Sequence, residues 1–353
     1  MDQFVLCAIL IRLFYFLLAV LTVLTYIPPW IHPDLCWPIA SLGLLAPTLW
    51  LAMFFFLLYW LLRKDRRKAG ASAIILILGW SMINNAFALP DGGPDPTAED
   101  ISIVSLNGHS FSLKGIKDKR AGLRAVYRFL DSLDADILLI QEFYRENKSD
   151  AMVREIIANT QFKHGFRGPR GPLVIFSRYP IKNGQDTYFA NGVNGFLQAD
   201  IHTPKGVLHV CNVHLQSNAI SLMAHSVAES PDILEESTRQ RIKMMLERYG
   251  RSNKKRVTQS QQIIDQLNTV QHPIIIGGDF NEVPTSYLYR LLGGQYQDAH
   301  LAQSWGLGTT YEGLIPGLRI DYLLVDYALP ILDYEQYPCW FSDHEAIKAV
   351  LKQ

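Results

Sequence analysis

Between Ile274 and Asn281 the chain reads Ile-Ile-Ile-Gly-Gly-Asp-Phe-Asn, an apolar run that opens into two glycines and then two polar residues spaced two apart. In an extended segment such positions share one face. Asp279 and Asn281 are therefore predicted to converge on one phosphate, the carboxylate near an attacking water and the amide donating to a phosphoryl oxygen. A lone Asp-x-Asn after a buried strand is commonly just a turn, so the reading needs partners from elsewhere in the chain.

Partners occur at the ends of other strand-like runs. Ser342-Asp343-His344, ahead of the strand-like Ala346–Leu351, joins a hard oxygen ligand for a divalent cation to a group that titrates near neutrality. Asp321 interrupts the apolar Ile320–Val325 and is suited to hold the His344 imidazole in one tautomer. Glu142 follows Leu138-Leu139-Ile140-Gln141, Asn107 follows Ile103-Val104-Ser105-Leu106, and His214 lies two positions after Asn212. For His214 alone, a satisfied buried histidine is the ordinary alternative. Oxygen ligands of this kind suit magnesium or manganese, which keep several waters and share a substrate phosphate.

The ordered set Asn107, Gln141-Glu142, His214, Gly278-Asp279-Phe280-Asn281, Asp321-Tyr322 and Ser342-Asp343-His344 resembles the endonuclease/exonuclease/phosphatase superfamily, and the resemblance spans Ile101 to Gln353. Members include DNase I, abasic-site endonucleases, inositol-polyphosphate phosphatases and neutral sphingomyelinases. The resemblance implies an α/β fold, a four-layer sandwich of two central sheets flanked by helices, with the site at one end of the sheets. It implies that Glu142 binds the metal with Asn107 close by, and that Asp343 joins directly or through water. His214 and Asn281 would stabilise the pentacovalent phosphate. His344, oriented by Asp321, would act with Asp279 in positioning or deprotonating the nucleophilic water. Two places depart from the pattern: Gly108 follows Asn107 where an apolar residue is usual, and Gly171–Pro180 lacks a small polar residue early in its strand. That second segment reads as an ordinary structural strand and turn.

The elements that must position these groups are β-rich. Ile101–Leu106, Ile137–Ile140, Leu173–Phe176, Phe196–Ile201, Val207–Val213, Ile274–Gly277 and Ile320–Val325 read as strands. Arg124–Leu133, Ser237–Tyr249 and Gln259–Val270 read as helices. The stretch Ala219–Gln259 is rich in Arg and Lys, Arg256 among them, as either a solvated helix face or a basic rim guiding an anionic head group or polynucleotide.

Ahead of this domain, Phe4–Ile27, Leu35–Leu62 and Ala71–Leu89 are apolar over about 20 residues each, enough to cross a bilayer. Three transmembrane helices are expected in residues 1–89, a linker in 90–100 and the catalytic domain in 101–353. The basic run Arg63-Lys64-Asp65-Arg66-Arg67-Lys68 points to the cytoplasm. That places the N-terminus inside and the catalytic domain on the external or periplasmic face. Ala86-Phe87-Ala88 also resembles a signal-peptide cleavage site, which exports the domain equally.

Charge and cysteine usage narrow the function. Lys plus Arg and Asp plus Glu both number 33, so the chain is neutral, which argues against tight sequence-independent duplex binding. The four cysteines show no CxxC spacing, which argues against a cysteine-ligated metal. Cys211 and Cys339 read as two small buried thiols, with a disulfide as the alternative. The expected activity is metal-dependent hydrolysis of lipid head-group or other phosphodiesters at the outer membrane face, with the bilayer and a phosphoester as partners. A membrane-tethered endo- or exonuclease comes second. A non-catalytic receptor on the same scaffold comes third, because no expected catalytic position has been replaced.

Overall fold

The computed structural model describes residues 3–89, 92–143, 149–169, 171–190, 192–217, 236–313 and 317–353. Helix α1 (Gln3–Leu24) and, after the short α2 (Trp37–Ala40), helix α3 (Ala46–Leu62) present Leu and Phe on all sides, including Phe14, Phe16, Phe54 and Phe55 to the exterior. A helix apolar all round belongs in a membrane or a large core. Val5–Trp30 and Trp37–Leu62 are the two candidate membrane-spanning segments.

The third expected span is broken. Helices α4 (Arg66–Leu78) and α5 (Trp80–Ala86) meet at Gly79 with a 57° bend. A Cβ at Gly79 would lie 2.5 Å from the Tyr26 ring, and the Tyr26 hydroxyl donates to Ile75 O at 2.8 Å. The ring thus fills space that any larger residue would need, and its hydroxyl adds a second donor to a carbonyl that also accepts the Gly79 N–H at 3.2 Å. The anchor therefore has two long apolar helices and a bent pair, not three uninterrupted ones.

The remainder is a mixed α/β sandwich. Its strands are β1 (Ile101–Asn107), β2 (Ile137–Gln141), β3 (His164–Arg167), β4 (Val174–Ser177), β5 (Ile181–Tyr188) and β6 (Gly195–Thr203). They continue with β7 (Gly206–His214), β8 (Ile274–Asp279), β9 (Gln297–Asp298), β10 (Asp321–Val325), β11 (Ile331–Tyr337) and β12 (Ala346–Leu351). One sheet runs β11-β12-β1-β2-β4-β3 and the other β5-β6-β7-β8-β10-β9. Within them β1 pairs with β2 and β7 with β8 in parallel, and the other pairs are antiparallel.

Period-2 alternation sends each strand's apolar residues to two cores. Ile103, Leu139, Val210, Ile275 and Leu323 meet between the sheets. Val104, Leu138 and Phe176 pack outward on helices α6 (Lys119–Ser132) and α7 (Ser149–Asn159). Val213, Ile276 and Leu324 pack outward on helices α8 (Glu236–Leu267) and α9 (Tyr287–Gly293). Helix–sheet–sheet–helix layering follows, with the short α10 (Ala299–Gln303) beside β10. The helices expected at Ser237–Tyr249 and Gln259–Val270 are one 32-residue helix, α8. Cys211 and Cys339 lie on the outer faces of different sheets, so they do not pair.

Anchor and sandwich touch. Thr285 Oγ1 donates to Gly43 O at 2.7 Å, Arg290 Nη1 to Pro29 O at 3.2 Å, and Arg319 Nη2 to Asn85 O at 3.0 Å. Ala88 bridges to Gly306, and Phe87 packs on Trp305.

One glycine is demanded by the route of β8. Gly278 sits at φ +151, and a Cβ there would meet Val213 O at 1.9 Å. Gly278→Ala is expected to destabilise the sandwich by about 2 kcal/mol or more. A thermal melt of the purified chain checks this; an unchanged midpoint contradicts the packing described.

Candidate active site

The inward faces of the central strands change character at one end of the sandwich. Along β1 the inward series is Ile101, Ile103, then Ser105 and Asn107; along β2 it is Ile137, Leu139, then Gln141. Along β7 it is Leu208, Val210, then Asn212 and His214; along β8, Ile275, then Gly277 and Asp279. Strand β10 enters the same end with Asp321. Sheet register then fixes neighbours: His214 pairs with Asp279, and Asp279 with Asp321, so the three lie in a row across adjacent strands. Asn107 pairs with Gln141 in the facing sheet.

Asp279 is the hub. Its Oδ2 accepts from Asn107 Nδ2 at 2.9 Å and lies 3.7 Å from His214 Nε2 and 3.9 Å from His344 Nε2. Its Oδ1 accepts the Asn281 N–H at 2.8 Å. His344 Nδ1 is 2.9 Å from Asp321 Oδ2, the contact expected of an orienting carboxylate. His214 Nε2 also lies 3.8 Å from Glu142 Oε1. Asp343, half-buried, lies 3.2 Å from His109 Nδ1 at the exposed mouth. Asn281 Nδ2 donates to Leu215 O at 3.2 Å, as does Asn194 Nδ2 at 2.6 Å. All eight residues singled out by sequence thus face one end of the sandwich.

Three site residues adopt a backbone form that side chains rarely take: His109 at φ 42, Glu142 at φ 48 and Asn281 at φ 53. Each follows a strand end, and such conformations persist only where the surroundings impose them. Gly108 N donates to Gln141 O at 2.8 Å, Ser110 N to Glu142 O at 2.9 Å, and Ser342 Oγ to Asn107 O at 2.7 Å. These bonds bind the loops after β1 and β2 and the loop at Ser342 into one rim.

Burial and charge set the protonation. Burial and then the Asp321 charge push Asp279 up to about 6, against the opposing pull of His344, His214 and Asn107. Burial alone would lower His344, but the charge and hydrogen bond of Asp321, with Asp279 and Asp343, push it up to about 10. The Asp343 contact raises His109, helped by the Glu142 charge, so these two carboxylates bound the same mouth. Burial opposes it, but His109 and His344 hold Asp343 below the usual carboxylate range. Ligand atoms of Asp279, Asp321 and His344 lie within 4.8 Å of one another, a donor set able to coordinate a divalent ion. The His344 Nδ1–Asp321 contact uses one side of that cluster, and Glu142 and Asp343 add carboxylates at the mouth.

Several supporting residues escape a sequence reading. Gln141 Nε2 donates to Asn212 Oδ1 at 2.7 Å, an amide bridge between the two sheets directly beneath the site. Arg256 is fully buried and clamps Glu282 (Nε–Oε2 3.1 Å), which also accepts from the Tyr249 hydroxyl at 2.5 Å. Sequence assigned Arg256 to a solvated or substrate-guiding face; the structure instead uses it to fix the residue after Asn281. Arg319, also buried, pairs with Asp298 at 2.6 Å and fixes the approach to Asp321. Its signal was present, a lone Arg two residues before a polar break in an apolar strand. His109 carried no signal beyond an unusual position.

A known family and several solved structures are similar to this chain. Residues 105–344 match the Endonuclease/Exonuclease/phosphatase family, and residues 8–86 match a Domain of unknown function (DUF8431). No curated protein matches. Similar solved structures include a functionally unknown conserved protein from Enterococcus faecalis, 16% identical with a TM-score of 0.49, covering 71% of this chain and 99% of that one. An endonuclease/exonuclease/phosphatase from Beutenbergia cavernae is 18% identical with a TM-score of 0.49, covering 72% of each chain. Truncated Caenorhabditis elegans TDP2 is 15% identical with a TM-score of 0.49, covering 73% of this chain and 100% of that one. Because the family match extends over more than half the chain and takes in every motif of the site, the chain belongs to the endonuclease/exonuclease/phosphatase family.

Proposed function

We propose that the chain is a membrane-anchored, divalent-metal-dependent phosphoesterase that cleaves phosphodiesters of a nucleic-acid-like substrate. The observation that carries the hydrolase reading is the Asp279 hub, with His214, His344 and Asn107 within 4 Å of one carboxylate. Both ring nitrogens of His214 and Asp321 Oδ1 are buried with no hydrogen-bond partner among the described residues. Such unpartnered polar atoms beside several carboxylates fit a hard cation and a phosphate, and not an apolar ligand. Glu142 and Asp343, with Asn107 beside them, would hold the ion, which when bound polarises a phosphoryl oxygen and offsets the charge developing there. Asp279 orients the attacking water and takes its proton, while Asn107 and the Asn281 N–H keep its carboxylate aimed. His344, its Nδ1 held by Asp321, presents Nε2 to the phosphate, and His214 and Asn281 donate to the same group as negative charge builds.

Two observations bear on substrate. Trp340 is half exposed in the loop that carries Asp343 and His344, which supplies a stacking face for an unpaired base. The family description names two nuclease activities and a phosphatase. Together they favour a nucleic-acid-like phosphodiester over a lipid, reversing the order that sequence alone suggests. A phospholipid head group is the second reading, favoured because the anchor contacts Thr285 and Arg319, close in sequence to Asn281 and Asp321.

The contacts also support an export topology. The connector after α1 and the end of α5 both touch the sandwich, whereas the basic run lies beyond α3. If α1 and α3 cross the bilayer, α4 and α5 must bring the chain back across it. That supports three crossings with the basic connector inside.

His344→Ala and Glu142→Ala are expected to lower kcat/KM by about 10³-fold or more, and Asp321→Asn by about 10²-fold or more, with circular dichroism unchanged. A chelator should abolish turnover, and magnesium or manganese should restore it. Substrates to compare are single-stranded DNA and RNA against sphingomyelin and phosphatidylcholine in micelles. Cleavage of the nucleic acids alone supports the first substrate reading, cleavage of the lipids alone the second, and wild-type rates from either alanine variant contradict the site. Protease added to intact spheroplasts should digest the catalytic domain; a protected domain contradicts the topology.

A further inference from the structure

Helix α8 has two unlike halves. Beyond Gly250 it packs on the sheet through Val257, Ile263, Ile264 and Leu267. Before Gly250, Met244 and Leu246 are 51% and 43% exposed, and Ile242 is half-buried. Apolar side chains of this size left open on a helix that also carries Arg239, Lys243, Arg248 and Arg251 give the pattern of a helix lying in a membrane interface.

The open half faces the anchor. Trp37, which begins both α2 and the second candidate span, packs so closely on α8 that a Cβ at Gly250 would lie 2.4 Å from its ring. Lys254 Nζ reaches Asp34 Oδ1 at 3.3 Å on the same connector. Between Trp37 and the open half runs a groove of about 430 Å³ lined by Trp37, Arg239, Ile242, Lys243, Leu246 and Glu247. Tryptophan at the end of a span marks the depth of the lipid head groups, so the groove opens where lipid is already present. Its apolar wall is Trp37, Ile242 and Leu246, and its cations are Arg239 and Lys243. The acids nearby are engaged by exposed pairs within α8, Glu236 with Arg239 at 2.7 Å and Glu247 with Arg251 at 3.9 Å. Such exposed pairs yield readily to a phosphate.

We propose that this groove binds one anionic phospholipid of the surrounding leaflet, its phosphate between Arg239 and Lys243 and the upper part of an acyl chain against Trp37, Ile242 and Leu246. The lipid is a structural ligand that seats the catalytic domain on the bilayer. It is separate from the phosphoester cleaved at Asp279, so the proposal stands whichever substrate the active site takes.

The test uses the full chain in nanodiscs of phosphatidylcholine alone or of phosphatidylcholine mixed with phosphatidylglycerol, with hydrogen–deuterium exchange read over residues 236–250. Phosphatidylglycerol is expected to slow exchange there about tenfold, with residues 251–267 unchanged. The double variant Arg239→Glu with Lys243→Glu should exchange at the phosphatidylcholine rate in both compositions. Leu246→Gln, which keeps the charges, should reduce the protection and so separates loss of the groove from loss of the helix. Equal exchange in the two compositions, or protection that follows the number of protein copies per disc, overturns the proposal; the latter assigns the groove to a second copy of the chain.

Discussion

The position of one buried carboxylate governs the rest of the site. Asp279 ends β8, and β8 lies between β7 and β10, so the register of two strand pairs decides which side chains stand beside it. With His214 on one side and Asp321 on the other, its environment is a row of titratable groups. A slip of one residue would turn it towards α8 and α9 and leave it among apolar neighbours. The close approach of Gly278 to Val213 O blocks the slip that would bring Asp279 to that position, because only glycine tolerates the contact. Asn107, arriving from the opposite sheet, completes the placement through its 2.9 Å hydrogen bond.

Two groups arriving from different sheets keep their distance only if the sheets are locked together, and the lock is polar. Gln141 and Asn212 bridge the sheets beneath the site, and Asn212 Nδ2 also donates to Ile140 O and Val174 O. Buried amides are costly unless satisfied; Asn212 is satisfied at both its oxygen and its nitrogen and so defines a single arrangement where apolar packing would tolerate several, while Gln141 Oε1 has no hydrogen-bond partner among the described residues. Two buried Arg–carboxylate pairs hold the outer loops, Arg256 with Glu282 and Arg319 with Asp298. Removing one partner of such a pair typically costs about 3–5 kcal/mol, since the other charge stays buried. Arg319 also reaches Asn85 in the anchor, so the membrane segment and the strand carrying Asp321 share one side chain.

The site was largely legible in sequence, and the supports were not. Asp279, Asp321 and His344 each break an apolar strand or follow one directly, so periodicity exposes them. Gln141 and Asn212 have the same signature, but nothing local says that they bridge two sheets. Arg256 looks like its solvated neighbours because helix phase alone does not say which side meets Glu282. The central strands were found because they are continuously apolar; β3, β5, β9 and β11 were not, because edge strands such as β5 are short of buried residues and rich in polar ones. The break at Gly79 depends on Tyr26, more than fifty positions earlier, a contact that hydropathy does not record.

The account turns on whether carboxylates from distant parts of the chain share one cation beside Asp279. Crystals of the full chain grown with manganese, with data collected at the metal's absorption edge, test this directly. The account predicts an anomalous peak at coordination distance from the Glu142 and Asp343 carboxylates, about 2.0–2.2 Å away for a small divalent ion. A peak elsewhere, or none at these carboxylates at saturating manganese, contradicts it.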